Sequence, residues 1–187
     1  MSYVPSHRIG GSEALAQPNA LVYLPSTTQT SYYNPATTGG YPTPSKVPLG
    51  SPTTWYGSWT PSISNDVITL PSGYFYFIET AVQVYYAYTD TVHGSQYYEI
   101  QVYDESNSQY IGNLGKAVYW DLGRKVDNNR DNAAFALIDC SSSGINVSVK
   151  VKSNNATATD KKIWGLNYSD PTGYAGQGRT IIWRLDT

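Results

Sequence analysis

The chain has a single cysteine, Cys140, and only two histidines, His7 and His93. One thiol excludes an intrachain disulfide, the usual brace of a small secreted domain. A Ser-His-Asp or Cys-His site would have to use one of the two histidines. Neither has a second metal ligand at useful spacing, so both read as surface residues. Cys140 follows Asp139 at a strand end and reads as a small packed side chain. Charge is scarce as well: 14% of residues are charged, against about 25% in ordinary domains. The net charge of −2 gives no electrostatic reason to expect nucleic acid or an anionic membrane as partner. No apolar run reaches the length of a membrane span, and no basic stretch followed by an apolar one opens the chain. The sequons at Asn146, Asn155 and Asn167 then read as coincidences in a chain rich in Asn, Ser and Thr. The expectation is cytoplasmic synthesis and a soluble or assembled product.

What the chain has in abundance is tyrosine, with eighteen copies. Tyrosine gives a large contact area with two side-chain torsions to freeze and a polar tip, which suits wide, semi-polar interfaces. It is also a favoured strand residue, so the excess serves either purpose. The composition changes along the chain. Nine of the eleven prolines lie between Pro5 and Pro61, where only Arg8, Glu13 and Lys46 are charged. This stretch is built from Ser, Thr, Tyr, Pro, Gly and Asn, with turn signals at Pro18-Asn19, Asn34-Pro35, Gly39-Gly40 and Thr43-Pro44. It predicts an extended arm over residues 1–65 and a compact domain over 66–187. Short apolar pieces such as Ala20 to Leu24 could add as strands to another protein's sheet. Tyr3, Leu21, Tyr23, Leu24, Tyr32, Tyr33 and Tyr41 are the arm's candidate partner-binding residues.

The domain reads as strands separated by turn chemistry, with no helix. Val67 to Leu70 is followed by Pro71-Ser72-Gly73. Tyr74 to Tyr88 reads as one long strand, with Tyr76, Ile78, Val82, Val84 and Tyr86 on one face. Tyr97 to Tyr103 alternates, with Tyr98, Ile100 and Val102 inward. Tyr110 to Trp120 is interrupted by Gly112 and Gly115, which predicts a bulge or bend. Ala133 to Cys140 and Ile145 to Val151 predict a hairpin across Ser141 to Gly144. In its second strand Ile145, Val147, Val149 and Val151 point inward, and Asn146, Ser148, Lys150 and Lys152 point to water. Lys162 to Tyr168 follows, with Trp164 and Leu166 inward. Thr180 to Leu185 closes the domain, with Ile181, Trp183 and Leu185 inward. The fold class is all-β: a jelly-roll β-sandwich of about eight strands preceded by a long extended arm.

Chemistry-bearing patterns are few. Asp127-Asn128-Asn129-Arg130-Asp131-Asn132 places oxygen ligands like the opening of a calcium loop. It lacks Gly at the sixth position, where Asn can adopt the same geometry. The twelfth position, where a Glu should close the loop, is Ile138. A solvated loop is the better reading. Asp104 with Glu105, or Asp139 with Asp186, could form a glycosidase-type carboxylate pair. Adjacent strand residues point to opposite faces, however, so Asp104 and Glu105 do not converge. Trp55, Tyr56 and Trp59 form an aromatic cluster, read as a staple between arm and domain. No cofactor, metal or catalytic site is expected.

Three stretches resemble a known family: Ile68-Thr-Leu-Pro-Ser-Gly-Tyr74, then Ala134 to Asp139 leading into Ile145 to Val151, then Gly178-Arg-Thr-Ile-Ile-Trp-Arg-Leu-Asp186. Their order is similar to tumour-necrosis-factor-like and complement globular-head-like jelly rolls, over roughly residues 66 to 187. That resemblance implies three copies around an axis. Phage structural proteins often carry such heads, and with the arm the whole chain resembles a capsid cement (decoration) protein of a tailed phage, in the manner of cyanophages. It implies a non-enzymatic homotrimer on the outer surface of the capsid, bound to the major capsid protein through its arm. The disulfide and calcium positions of some family members do not transfer. The alternative is a receptor- or glycan-binding head of a fibre or tail protein, although no heptad shaft is visible.

Overall fold

A computed structural model describes residues 18–25, 37–38, 41–42, 44–81, 83–87, 95–120, 133–153, 160–164 and 178–187. Fifteen strands run in order: β1 (Pro18–Pro25), β2 (Thr37–Thr38), β3 (Tyr41–Pro42), β4 (Ser45–Lys46), β5 (Thr53–Tyr56), β6 (Ser62–Ser64), β7 (Val67–Leu70), β8 (Tyr74–Ala81), β9 (Gln83–Ala87), β10 (Ser95–Asp104), β11 (Gln109–Trp120), β12 (Ala134–Cys140), β13 (Ile145–Ser153), β14 (Asp160–Trp164) and β15 (Arg179–Asp186). There is no helix among the described residues. The first sheet has the order β12-β8-β15-β1-β5, and the second β11-β10-β13-β7-β6, with β4 also pairing to β13. β9 pairs with β14, and β2 with β3, as separate ribbons. All these pairings are antiparallel. After β7 the chain enters the first sheet at β8, the second at β10 and β11, and then alternates through β12, β13 and β15. This is a jelly-roll sandwich of two antiparallel sheets, five strands in the first and six in the second, β4 included.

The core lies between the two sheets. Leu24, Ile68, Leu70, Tyr76, Ile78, Val102, Ala136, Ile138, Cys140, Val147 and Ile182 form one buried cluster. Burying aliphatic side chains of this kind stabilises by about 1.5–3 kcal/mol each, and it is the main force holding the sheets face to face. Two buried hydroxyls inside the sandwich, Thr80 and Thr180, satisfy each other at 2.9 Å. The Tyr76 hydroxyl donates to the Pro71 carbonyl at 3.0 Å.

Four sequence expectations need correction. The first is the boundary between arm and domain. β1 lies inside the first sheet between β15 and β5, with Ala20, Val22 and Leu24 wholly buried. Residues 45–46 pair with β13, and Val47 is buried and donates its N–H to the Val149 carbonyl. Residue 65/66 therefore divides two compositions but not two folding units. Pro18 and Pro25 misled because they stand at the two ends of β1, where a missing N–H is tolerated.

Second, β12 and β13 are not a hairpin: β12 pairs with β8, and β13 with β10 and β7. The Ser141 to Gly144 turn crosses from one sheet to the other. A close turn between two alternating strands looks the same in sequence whether it stays in a sheet or changes sheets. Third, Tyr74 to Tyr88 is two strands in different sheets. Tyr76 and Ile78 are buried as expected, and the next core position is Thr80. Residues 82 and 88 lie outside the described ones.

Fourth, the register of β15 is shifted by one. Thr180 and Ile182 are wholly buried, and Ile181, Trp183 and Leu185 share the outer face. Ile181 and Ile182 allowed either phase. Arg184 made its own face look polar. In fact that side chain ends at the rim of the sandwich, over the Tyr74 ring at 4.3 Å and the Trp59 ring at 5.2 Å. Its Nε donates to Asn19 Oδ1 at 2.6 Å.

Other expectations hold. Ile100 and Val102 are buried, as are Val147, Val149 and Val151. Ser148 shares the outer face with Asn146 and Lys150 but is fully covered. The bulge in β11 is present: Ile100 faces Gly115 and Val102 faces Ile111, so three residues, 112–114, stand against Gln101 alone. Gly112 has φ +73, and a Cβ there would meet the Phe135 carbonyl oxygen at 1.9 Å. The bulge thus brings β11 against β12, and the Asn113 side chain accepts the Phe135 N–H.

Candidate assembly surface

Side chains alternate along a strand, and directly opposed residues point to the same face. The pairing therefore settles what the outer face of the first sheet presents. One ladder crosses all five strands: Leu137 opposite Phe77, Phe77 opposite Trp183, Trp183 opposite Leu21, and Leu21 opposite Tyr56. The next ladder runs Phe135, Glu79, Ile181, Tyr23 and Thr53. The Phe77 ring lies 5.3 Å from Trp183 and 6.0 Å from Phe135. Tyr23 and Trp55 stack at 4.8 Å with an interplanar angle of 10°. The register of β1 against β5 shifts between Leu21 and Val22. This shift turns both Trp55 and Tyr56 outward, as a bulge does.

The face is apolar and open. Leu137 is 71% exposed, Tyr56 60%, Trp55 56% and Phe135 39%. β12 shows the inversion most clearly: Ala134 and Ala136 face the core, while the larger Phe135 and Leu137 face outward. Among the described residues the charges on this face are Glu79 and Arg179, 3.7 Å apart and so neutralised locally, and Asp139 near the rim. Backbone and side-chain hydrogen bonds from Ser141 hold the Asp139 carboxyl below its ordinary pKa.

The outer face of the second sheet is different in kind. Lys46 and Lys150 stand opposite each other in the strand pairing. Glu105 accepts the Ser148 hydroxyl at 2.7 Å and lies 3.5 Å from the Lys150 ammonium and 3.7 Å from that of Lys46. Partial desolvation pushes the Glu105 pKa up, but the Ser148 hydrogen bond and the two ammonium groups outweigh it and hold the carboxyl below its ordinary value. The Lys150 ammonium also sits 3.2 Å from the centre of the Tyr103 ring. A shallow cavity of about 160 Å³ opens here beside Pro44, Gln101 and Leu114.

The sequence-predicted partner residues separate. Leu21 and Tyr23 lie on the aromatic face. Leu24 is wholly buried in the core and is withdrawn as a partner contact, because it belongs to the buried cluster between the sheets. Tyr41 lies in β3, and only its backbone pairing with Thr38 is described. Tyr3, Tyr32 and Tyr33 lie outside the described residues. Of the aromatic cluster, Trp59 packs against the core with its ring 5.4 Å from Tyr76; Trp55 and Tyr56 instead belong to the open face. Sequence reasoning missed Phe77, Phe135, Leu137 and Trp183. The available signal was the large-outside, small-inside alternation of Ala134 to Leu137.

The other candidates do not converge. Asp104 is buried and accepts the backbone N–H groups of Ser106 and Asn107 and the Asn107 side-chain amide. Glu105 points to the other face, toward Ser148. Asp139 accepts the Ser141 N–H, and Asp186 is bonded to the Asn19 side chain. Burial pushes the Cys140 thiol pKa up, against a nucleophilic thiolate. His7, His93 and the Asp127 to Asn132 run lie outside the described residues. Among the described residues no three His, Cys, Asp or Glu side chains cluster as a metal site. No helix among them is long and apolar enough to cross a membrane. No protein-family model matches the chain, and no curated protein matches it.

Proposed function

We propose that the protein is a structural virion subunit: a homotrimeric capsid cement (decoration) protein on the outer surface of a phage capsid, joined to the major capsid protein by its N-terminal residues. The observation that carries this reading is the apolar ladder Leu137-Phe77-Trp183-Leu21-Tyr56 on a jelly-roll sandwich. An exposed apolar patch this large on a small domain marks a contact surface. The second support is the charge-poor, Pro- and Tyr-rich N-terminal composition. Segments 1–17 and 26–36 contain only two charged residues, Arg8 and Glu13. Such a chain adheres through backbone hydrogen bonds and through Tyr and Pro packing, contacts that salt screens little.

The test is to add protein to bare capsids of the parent virus and to count bound copies after sedimentation. The truncation must stop at residue 17, because removing residues 1–60 would also remove β1, β4 and β5 from the sheets. Full-length protein should bind in fixed copy number and resist molar salt. Protein lacking residues 1–17 should fold but bind with much lower occupancy. Failure of the full-length protein to bind at all would reject the reading.

A receptor- or glycan-binding head is the second reading. It is favoured by the exposure of Trp55 and Tyr56 beside Tyr23, which offers a flat aromatic platform for sugar stacking. Equal occupancy of shells by both forms, together with saccharide binding abolished by Trp55→Ala, would move the assignment there.

A further inference from the structure

The pairing of β1 with β15 breaks register once. Pro18 stands opposite Leu185 and Ala20 opposite Arg184, so Asn19 is an extra residue on β1. A bulge of this kind gives up regular pairing and re-aims a side chain. Here it brings the Asn19 carboxamide to the rim of the sandwich, where both of its ends are used. The amide nitrogen donates to the Asp186 carboxylate, and the oxygen accepts from Arg184 Nε at 2.6 Å. The Arg184 guanidinium is fixed in turn by the rings of Tyr74 at 4.3 Å and Trp59 at 5.2 Å, as a cation is by aromatic faces. Both rings pack against the wholly buried Tyr76, at 6.3 and 5.4 Å. On the backbone side, a Cβ at Gly57 would collide with the Asn19 carbonyl oxygen. The start of β1 is thereby tied to the end of β15, the start of β8 and the loop after β5.

This is more than β1 needs in order to fold. Its burial is supplied by Ala20, Val22 and Leu24, further along the strand. The Asn19 bond to Asp186 is exposed, where water competes for the same groups. What distinguishes the place is that residues 1–17 join the sheet there. A strand pulled from one end loses its pairs one at a time, so the first bonds set the resistance. We infer that Asn19, Arg184 and Asp186 form a clamp that keeps β1 from peeling out of the sandwich when the residues before it are under load. The source of that load rests on the proposed attachment to the capsid through those residues.

Single-molecule pulling on the full chain, with handles at Met1 and Thr187, tests it. Pro18 and Leu185 are partners, so this load enters β1 and β15 at one rim and unzips them through the clamp. Asn19→Ala removes two hydrogen bonds to charged groups and should open about tenfold faster or more at the same load. Asn146→Ala loses its hydrogen bond from Thr69 in the second sheet and should open at the wild-type rate. Asn19→Asp sets two carboxylates against each other and should also open early. Combining it with Asp186→Asn restores an amide facing a carboxylate and an acceptor for Arg184, and should recover most of the resistance. Near-ultraviolet circular dichroism confirms that each variant is folded. Opening of Asn19→Ala at the wild-type rate, or a swapped pair no better than Asn19→Asp alone, would overturn the clamp and leave the virion reading standing. Failure of the wild type to bind bare capsids, with the pulling rates as expected, would reject the virion reading and leave the clamp.

Discussion

Across the outer face of the first sheet run Leu137, Phe77, Trp183, Leu21 and Tyr56; the outer face of the second carries Gln101, Lys150, Lys46, Glu105 and Asn146, together with Leu114 and the paired Tyr103 and Tyr110 rings. Both sheets contribute to the core between them. The contrast lies only in what each shows on its other side. A polar outer face is the ordinary outcome for an antiparallel sheet with one side in water. The first sheet breaks that rule along a whole ladder, and β12 does so while presenting alanine to the core. The difference teaches that the chain's apolar residues fall into two separate sets: one closes the sandwich, and the other is displayed on its outer face.

The neighbours Ile182 and Trp183 separate these purposes most sharply. Ile182→Ala should lower stability by about 2–5 kcal/mol, because it opens a cavity in the core at every protein concentration. Denaturant unfolding of the variant measures this. An effect below about 1 kcal/mol would mean that Ile182 is not the core residue of β15.

Tyrosines sharpen the contrast from a different side. Tyr76 is wholly buried, and desolvation pushes its phenol up to about 12 from the ordinary 10.0, partly opposed by Arg184. A pKa raised in the folded state stabilises fully below pH 10.0 and is lost as the pH rises toward about 12. The loss over that window should be on the order of 2–3 kcal/mol. Tyr76→Phe should flatten this alkaline decline, as measured by denaturant unfolding across the same window.

Much of this was legible in advance, and the misses have physical causes. Strand existence, the β11 bulge at Gly112 and the buried valines of β13 follow from turn chemistry and clean alternation. The phase of β15 did not, because Ile181 and Ile182 are both apolar and only tertiary packing shows that Arg184 reaches the rim. The place of β1 was hidden by its prolines, which stand at its two ends. The apolar outer face was hardest to see. A sheet with two apolar faces has no alternation in hydropathy, only in size, as Ala134, Phe135, Ala136 and Leu137 show.

Trp183→Ala should behave unlike its neighbour. The ring is half-buried against Phe77, so the folded chain should lose about 1–2 kcal/mol, and self-association should weaken as well. Unfolding curves at two protein concentrations distinguish the two effects. A purely structural role would give the same loss at both.

The smallest effect belongs to the polar face. Glu105 has its pKa depressed below 4.5 in the fold, so its contribution is present above that pH and is lost as the pH falls through the lower native value. Because the pair is partly exposed, Glu105→Gln should cost about 1 kcal/mol or less at neutral pH and leave oligomeric mass unchanged. A change of mass in this variant would mean that the second sheet also takes part in assembly.

The central claim is that one sheet buries one face within the chain and the other between chains. Thermal unfolding across a hundredfold range of protein concentration tests it most directly, because a fold stabilised by its own copies melts later as those copies become more abundant. The account predicts a Tm that rises with concentration in the wild type and in Gln101→Glu, and a flat Tm in Leu137→Glu. A wild-type Tm independent of concentration, in a chain that light scattering shows to be monomeric, would contradict it.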